Sequence, residues 1–206
     1  MYAVGHLALG YITGKAASKF LNVKVNVPLL FLASVLPDID LLIPWLEHRG
    51  PTHSLVLYAL IFVPSFWLYG KQVMPFLVSL IQHSLLGDLL TGGGVQVLWP
   101  IASEWYGTQM TIIGTLNISL EWTLFLISMV LLWKTRDVMS LFQHHPSNLL
   151  LTVPVFAIIM PVFLSFPLAV PFELIIPHLA FLTFLVFSII TDLKQISRSK
   201  HRSEIL

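Results

Sequence analysis

The chain has 206 residues, of which 56% are hydrophobic and only 10% are charged. A soluble globular domain of this size needs more polar surface, so the composition places the protein in a lipid bilayer. The formal net charge is +1 and basic residues cluster only in 194–202, which excludes an extended nucleic-acid-binding surface. The chain contains no cysteine, so any metal ion must be held by histidine and carboxylate side chains.

Apolar stretches of membrane-spanning length follow one another along most of the chain. A spanning helix needs about 20 residues, and the stretches that meet or approach this length are 27–45, 54–69, 73–90, 112–133, 149–170 and 172–191. A further segment, 2–20, contains three glycines and two lysines and either spans the bilayer or lies at its surface. The sequence therefore predicts an all-α transmembrane bundle of six to seven helices. We expect one integral membrane domain over 1–206, with the motifs in 1–111 and supporting helices in 112–206.

Lysine and arginine fall almost entirely on one side of this bundle. They lie in 15–24, at Lys71, in 134–136 and in the tail 194–202. Short cytoplasmic loops are enriched in these residues, so we predict a multi-pass protein of the plasma (inner) membrane with a cytoplasmic C-terminus. Arg49 is the exception, because its loop lies on the opposite side together with the loop 92–111.

Ionisable side chains within the predicted helices share one depth, near the outer helix ends. They are His6 (if its segment spans), Asp38, Asp40, His53, Asp88, Glu121 and His178. Such side chains cost several kcal/mol in lipid and usually face the bundle interior or a water-filled cavity. Their common depth predicts one functional site near the outer face of the membrane.

The first motif of this layer is the stretch Leu-Pro-Asp-Ile-Asp at 36–40. Residues two apart on an α-helix point about 200° apart, so Asp38 and Asp40 could not reach one ion from an intact helix. Pro37 lacks an amide hydrogen and disfavours helix at the residue before it. We therefore predict a proline-broken helix in which an extended segment directs both carboxylates the same way. The alternative is a helix-ending turn with an aspartate as N-cap.

The second motif is the turn Glu-His-Arg-Gly-Pro-Thr-His-Ser at 47–54. Imidazole suits zinc and related ions, carboxylates suit harder ions, and a mixed set with an open position is typical of catalytic metal sites. The guanidinium of Arg49 can hold a phosphate or carboxylate through two parallel hydrogen bonds. The alternative is a polar interfacial loop in which Thr52 and Ser54 only cap the next helix.

The third motif contains His83 and Asp88 and ends in three glycines at 92–94. An aspartate late in a span, before a glycine run, indicates backbone close to a ligand or ion, although glycines also end helices. His83 and Asp88 are five residues apart, which is about 140° around an α-helix. They can share a site only if the helix is distorted or another helix contributes.

Over roughly its first hundred residues the chain resembles the YdjM-like family of predicted membrane-bound metal-dependent hydrolases. The resemblance lies in Gly5-His6, 37–40, 48–54, Gly87-Asp88 with Thr91, and Trp99-Pro100. The resemblance implies that six residues are metal ligands or close partners of the ligands: His6, Asp38, Asp40, His48, His53 and Asp88. The family pattern has a histidine where this chain has Ser84, which leaves His83 an uncertain ligand.

The second half of the chain contributes two further candidates. Glu121, with Asn117 one turn earlier, either supports the metal ligands from outside or bonds between helices. His178 is either part of the same layer or a buried histidine with a local partner.

The pattern favours hydrolysis of an ester or phosphoester in a lipid or lipid-linked substrate at the outer face, with a divalent ion. We expect zinc, with manganese or magnesium as alternatives. Asp40 or Asp88 would accept a proton and Arg49 would hold a phosphate oxygen. An intramembrane metalloprotease is less favoured because the chain has no His-Glu-x-x-His motif. Non-enzymatic alternatives are a metal-binding membrane protein and an ion-coupled transporter.

Overall fold

The computed structural model describes residues 1–108 and 110–203, with side chains described as far as 197. Within these residues the secondary structure is helical, apart from one isolated antiparallel bridge between Val95 and Tyr106, which confirms the all-α prediction. The α-helices are α1 (Ala3–Leu21), α2 (Val27–Val35), α3 (Leu55–Tyr69), α4 (Met74–Gln82), α5 (Leu89–Thr91), α6 (Thr115–Lys134), α7 (Asp137–Leu141), α8 (Thr152–Phe163) and α9 (Ile175–Ser203). Short 3-10 helices cover Leu36–Leu42, Pro51–His53, Gly70–Val73, Pro146–Leu151 and Phe172–Leu174, and a π-helical turn covers His83–Asp88.

Four stretches of the described chain are long and apolar enough to cross a membrane, namely Leu55–Thr91, Thr115–Lys134, Pro146–Phe163 and Phe172–Ser197. The first has 37 residues, about 55 Å at 1.5 Å per residue and far more than a bilayer core of about 30 Å. The chain reverses within it at Gly70, where φ is +60°. Tyr58 near the start of α3 is hydrogen-bonded to Ser84 just after α4, at 2.7 Å. The stretch is therefore an antiparallel helix pair, in agreement with the separate predictions 54–69 and 73–90.

Helix α1, which covers most of 2–20, lies inside the bundle, although it is not among the four stretches that are apolar enough to cross a membrane. Val4, Leu7 and Tyr11 are completely buried. At its start, the amide of Tyr2 donates to Glu121 in the first half of α6, at 2.9 Å. Further along, the hydroxyl of Tyr11 donates to Asp137, just beyond the end of α6, at 2.7 Å. Helix α1 therefore runs through the bundle alongside α6.

The predicted span 27–45 is shorter in the structure. Helix α2 has nine residues and continues as a seven-residue 3-10 helix with Pro37 in its first turn. The predicted proline break is confirmed, but the predicted extended segment is wrong. A 3-10 helix satisfies its own backbone groups, whereas an extended segment at this depth would leave them without partners.

Polar residues gather at the two ends of the bundle. Asp38, His53 and Asp88 meet at the end that we call the site end. At the opposite end Lys15 contacts Asp137 at 2.5 Å, and Asp192 contacts His144 at 2.8 Å.

The membrane orientation of these ends is a testable prediction from the charge asymmetry. We expect a cysteine at exposed Ser103, near the site end, to react with an impermeant thiol reagent in intact cells, whereas Gln72→Cys should react only after lysis. The chain has no native cysteine, so each label reports one position. The reverse pattern would place the site end in the cytoplasm.

Candidate metal centre

Four buried or partly buried side chains at the site end converge on one point. Asp38, His53, His83 and Asp88 each offer one ligand atom, and these four atoms lie within 4.8 Å of one another. Asp38 comes from the 3-10 helix after α2, His53 from the 3-10 helix before α3, and the other two from the π-helical turn. The cluster therefore joins three segments of the first half of the chain.

Five of the six distances between the four ligand atoms are close to those of a tetrahedral site. The Nε2 atoms of His53 and His83 are 3.1 Å apart. Both lie 3.2–3.5 Å from Oδ1 of Asp38 and Oδ2 of Asp88. Zinc bound tetrahedrally at about 2.0–2.1 Å has its ligand atoms about 3.3 Å apart. The four donors thus surround a space of the size that such an ion needs.

The hydrogen bonds behind the two histidines orient their lone pairs. Nδ1 of His83 lies 2.7 Å from the carbonyl oxygen of Ser34, and Nδ1 of His53 lies 3.3 Å from Oδ2 of Asp40. Both partners are acceptors, so each Nδ1 carries a hydrogen and each Nε2 faces the centre, where its lone pair would bind a cation. The buried Oδ2 of Asp88 has no hydrogen-bond donor among the described residues. A cation at the centre would satisfy all of these atoms.

A π-helical turn brings His83 and Asp88 onto one face. The amide of Leu89 bonds to the carbonyl of Ser84, five residues earlier, instead of the usual four. Five residues then complete about one turn, so His83 and Asp88 lie near one another along the helix. This is the helix distortion that the sequence argument required for the pair to share a site.

Ser84 stands at the position where the family pattern has histidine, and its side chain points away from the cluster. Its hydroxyl bonds with Tyr58 on α3, at 2.7 Å. Neither Tyr58 nor the Ser34 carbonyl was predicted to support the site. A backbone carbonyl leaves no trace in residue type, and Tyr58 lies in an otherwise apolar stretch without a motif.

His6 packs against the cluster but its ring nitrogens are not among the four ligand atoms. Its ring stacks on that of His83, with centroids 3.7 Å apart, and its Nε2 lies 3.5 Å from Oδ1 of Asp88. The rings approach closely because Gly87 has no side chain. A Cβ atom at Gly87 would lie 2.6 Å from Nδ1 of His6.

A Gly87→Ala substitution should therefore force α1 and the π-helical turn apart. Overpacking of a buried contact typically costs about 1–3 kcal/mol, and we expect a loss of this size in thermal unfolding of the purified protein. The matched control is Leu86→Ala in the same turn, whose side chain is 43% exposed and whose loss should cost within about 0.5 kcal/mol. Equal stabilities of the two variants would contradict the close packing of His6 on this turn.

Asp40, His48 and His53 form a second group whose ligand atoms also lie within 4.8 Å of one another and could hold a metal ion, so the predicted ligand roles of Asp40 and His48 stay predictions. The carboxylate of Asp40 accepts hydrogen bonds from the amide of Arg49 at 3.1 Å and the hydroxyl of Thr52 at 2.7 Å, and it contacts His48 at 3.0 Å. Both oxygens of Asp40 are therefore already occupied by hydrogen-bond donors.

The two carboxylates of the proline motif serve opposite sides of one imidazole ring. Asp38 approaches Nε2 of His53 at 3.5 Å, whereas Asp40 approaches Nδ1 at 3.3 Å. A carboxylate behind a histidine is the usual outer partner of a metal ligand. The geometry thus separates Asp38, in the cluster, from Asp40, behind it, and corrects the expectation that both point the same way.

Arg49 closes the cluster on the side of the glycine run. Its Nη2 lies 3.2 Å from Oδ1 of Asp88, and its Nη1 donates to the carbonyl of Gly92. Its φ of +65° is uncommon for a residue with a side chain. This backbone conformation lets its amide reach Asp40 while its side chain reaches Asp88. Nε is buried and has no hydrogen-bond partner among the described residues.

Glu121 and His178 lie in the bundle but outside both groups of ligand atoms. Oε1 of Glu121 accepts from the amide of Tyr2 at 2.9 Å and from Asn117 at 3.1 Å. Nδ1 of His178 donates to the carbonyl of Leu174 at 2.7 Å. Both side chains are completely buried, so they face the bundle and not lipid, as their depth predicted. Their contacts are interhelical or local.

This geometry predicts different effects for two variants of Glu121. Glutamine keeps a carbonyl oxygen that can accept both hydrogen bonds, so Glu121→Gln should retain stability and metal content. Glu121→Ala leaves the amide of Tyr2 and the amide group of Asn117 without their acceptor, which should cost about 1–3 kcal/mol in thermal unfolding. If Glu121→Gln instead lost metal, Glu121 would act on the cluster itself.

The chain was compared with protein families, curated proteins and solved structures. The model of the family described as YdjM inner membrane protein matches residues 1–169. The chain is similar to the inner membrane protein YbcI of Escherichia coli (strain K12), with 36% identity over 105 residues, covering 41% of this chain and 61% of that protein. The chain thus spans less than two thirds of the length of this curated relative. No solved structure matches it.

Proposed function

This chain belongs to the YdjM inner membrane protein family, and we propose that it is a metal-dependent hydrolase acting on an ester or phosphoester bond of a lipid or lipid-linked substrate at the outer face of the membrane. The observation that carries this proposal is the cluster of Asp38, His53, His83 and Asp88. Arg49 lies directly beside it, 3.2 Å from Asp88.

The donor set favours zinc. Magnesium and calcium prefer oxygen ligands, whereas two imidazole nitrogens with two carboxylates are typical of zinc, with manganese as the closest alternative. The two ionised carboxylates carry two negative charges, which a divalent ion balances. Asp38 and Asp88 also line a cavity, so the cluster is accessible from one side.

A divalent ion held by these residues would supply Lewis-acid chemistry, lowering the pKa of a water molecule and polarising the bond to be cleaved. The chain's own residues supply the rest. Asp40 keeps the ring of His53 in place. Oδ1 of Asp88 lies at the edge of the cluster, 3.2 Å from Arg49 and 3.5 Å from His6. Of the two proposed proton acceptors we favour Asp88, because the oxygens of Asp40 are already hydrogen-bonded behind His53.

Arg49 is the proposed binding group for the substrate's anionic head. Its fork of donors now contacts Oδ1 of Asp88 and the carbonyl of Gly92. A phosphate can replace these partners because guanidinium binds it through two parallel charge-assisted bonds. The same interaction would stabilise negative charge that develops during hydrolysis.

The packing of the bundle supports a site that lies at one end and does not continue through to the other. Between the cluster and the opposite end lies an apolar core that includes Leu7, Tyr11, Phe31, Phe125 and Phe181. An ion-coupled transporter needs a polar path through this region. The packing therefore favours the hydrolase over the transporter.

The test combines metal analysis with a substrate screen. We expect the purified protein to contain about one zinc ion per chain and to hydrolyse at least one class among alkyl phosphates, phospholipids and alkyl esters. A chelator should abolish the activity and zinc should restore it. Stoichiometric metal without hydrolysis in any class would instead support a non-catalytic metal-binding membrane protein, and protein that neither contains nor binds metal would reject the centre altogether.

A further inference from the structure

A cavity of about 370 Å³ extends from the metal centre into the bundle. Its polar end is formed by Asp38, His48, Arg49 and Asp88. The remaining walls are mostly apolar side chains of the 3-10 helix after α2, of α8 and of the loop after α8. The volume lies in the range of small-molecule sites, about 300–1,000 Å³. The cavity therefore combines a charged end with a hydrocarbon-like interior.

The apolar part of the cavity follows α8 over much of a membrane leaflet. Its lining includes Val153, Ala157 and Pro161, which are separated by two turns of helix, about 12 Å at 1.5 Å per residue. One leaflet of a bilayer core is about 15 Å deep. The cavity is thus long enough for a chain that lies parallel to the lipid chains.

The cavity opens on the side of the bundle. Leu42 and Phe156 line it and are 59% and 57% exposed. Phe156 belongs to a stretch that is long and apolar enough to span the membrane, so its exposed surface faces hydrocarbon. A lipid chain can enter here without crossing water.

Charge at the polar end selects the head group. Arg49 is the only lysine or arginine in the lining, as far as the structure describes the chain, and its buried Nε has no partner. An unsatisfied donor on a cation can donate a hydrogen bond to a phosphate or carboxylate oxygen. A divalent ion would balance the two carboxylates of Asp38 and Asp88, so Arg49 would leave this end positively charged and favour an anionic head group.

We propose that the cavity binds the single hydrocarbon chain of a lipid phosphate, with the phosphate at Arg49 and the chain along α8. Within the described residues, the lining offers one guanidinium, that of Arg49, for one head group and one apolar wall, about 12 Å long along α8, for one chain. This inference rests on the proposed function, because it places the head group at the metal centre. It specifies a single-chain substrate within the broader lipid class.

The test uses a dodecyl phosphate with a diazirine at the far end of the chain, added to the full-length protein in phosphatidylcholine nanodiscs. After irradiation, mass spectrometry locates the labelled residues. We expect labelling of α8 between Val153 and Ala157. Excess dodecyl phosphate should reduce the labelling at least tenfold, whereas dodecyltrimethylammonium should not. Labelling confined to outward-facing residues such as Ile127 and Phe187 would overturn the proposal.

Variants that fill the cavity with a larger side chain can be compared with a variant outside it. Ala157→Phe should reduce labelling of α8 at least tenfold without changing metal content, and the milder Ala157→Val should reduce it in part. Leu164→Phe, at an exposed position outside the cavity lining, should have no effect. Undiminished labelling in Ala157→Phe would reject the chain site.

The readout does not depend on turnover, so the two proposals can fail separately. Labelling of α8 without hydrolysis of any substrate would retain the chain site and reject the hydrolase. Hydrolysis with labelling only at the outer surface would retain the hydrolase and reject the chain site.

Discussion

Replacing His53 by alanine should abolish stoichiometric zinc binding. Its Nε2 lies within 3.1–3.5 Å of the other three ligand atoms, so its loss opens one side of the cluster and leaves His83 facing two carboxylates. Loss of an outer partner alone weakens metal binding about 10- to 100-fold, so loss of a ligand should exceed about 100-fold. Asp38→Ala should have the same effect. The measurement is zinc per chain after dialysis against a weak competing chelator.

Two control variants make this result specific. His48→Ala removes a partner of Asp40 and not a ligand of the four-residue cluster, so its effect should stay within the 10- to 100-fold range. His144→Ala lies at the opposite end, where it pairs with Asp192, and should leave the zinc content unchanged. Stoichiometric zinc in His53→Ala would exclude the cluster as the metal centre.

The second large effect concerns Arg49. Arg49→Ala should retain zinc, because no ligand atom is removed, but should lower kcat/KM for a lipid phosphate by about 10²- to 10³-fold, the usual effect of losing a donor that stabilises developing charge. Arg49→Lys restores the charge without the two-pronged geometry and should recover the activity only in part. The measurement is steady-state hydrolysis at matched zinc content.

The left-handed backbone at Arg49 requires one further control. Glycine adopts a φ of +65° without strain, whereas alanine does not. If Arg49→Gly and Arg49→Ala lose the same activity, the loss belongs to the side chain. Full activity in either Arg49→Gly or Arg49→Ala would show that Arg49 has no role in the mechanism.

Much of the architecture could be predicted from apolar length alone. The stretches 112–133 and 172–191 correspond closely to Thr115–Lys134 and Phe172–Ser197. The stretch 27–45 does not correspond to one helix, because hydropathy does not distinguish a nine-residue α-helix followed by a 3-10 helix from one continuous span. Pro37 marked the break but not the conformation that follows it.

The common depth of the polar residues predicted that they lie at one end of the bundle, but depth does not determine their contacts. His83 and Asp88 face one centre only because the helix changes to a π-helical turn, and no pattern of apolar residues encodes that change. Conversely, Glu121 has the expected depth and burial, yet it contacts the start of α1. Depth predicts which layer a residue occupies, and the local hydrogen-bond pattern decides which neighbours it has.

The division of the cavity between two distant parts of the chain bears on how such proteins can diverge. The four ligand atoms all come from residues between Asp38 and Asp88, whereas α8, which lines the apolar wall, is encoded far downstream. If the cavity binds a lipid as proposed, mutations in α8 would alter the length or shape of the lipid that is accepted without disturbing the metal ligands. Metal binding and lipid preference would then evolve on separate segments of the chain.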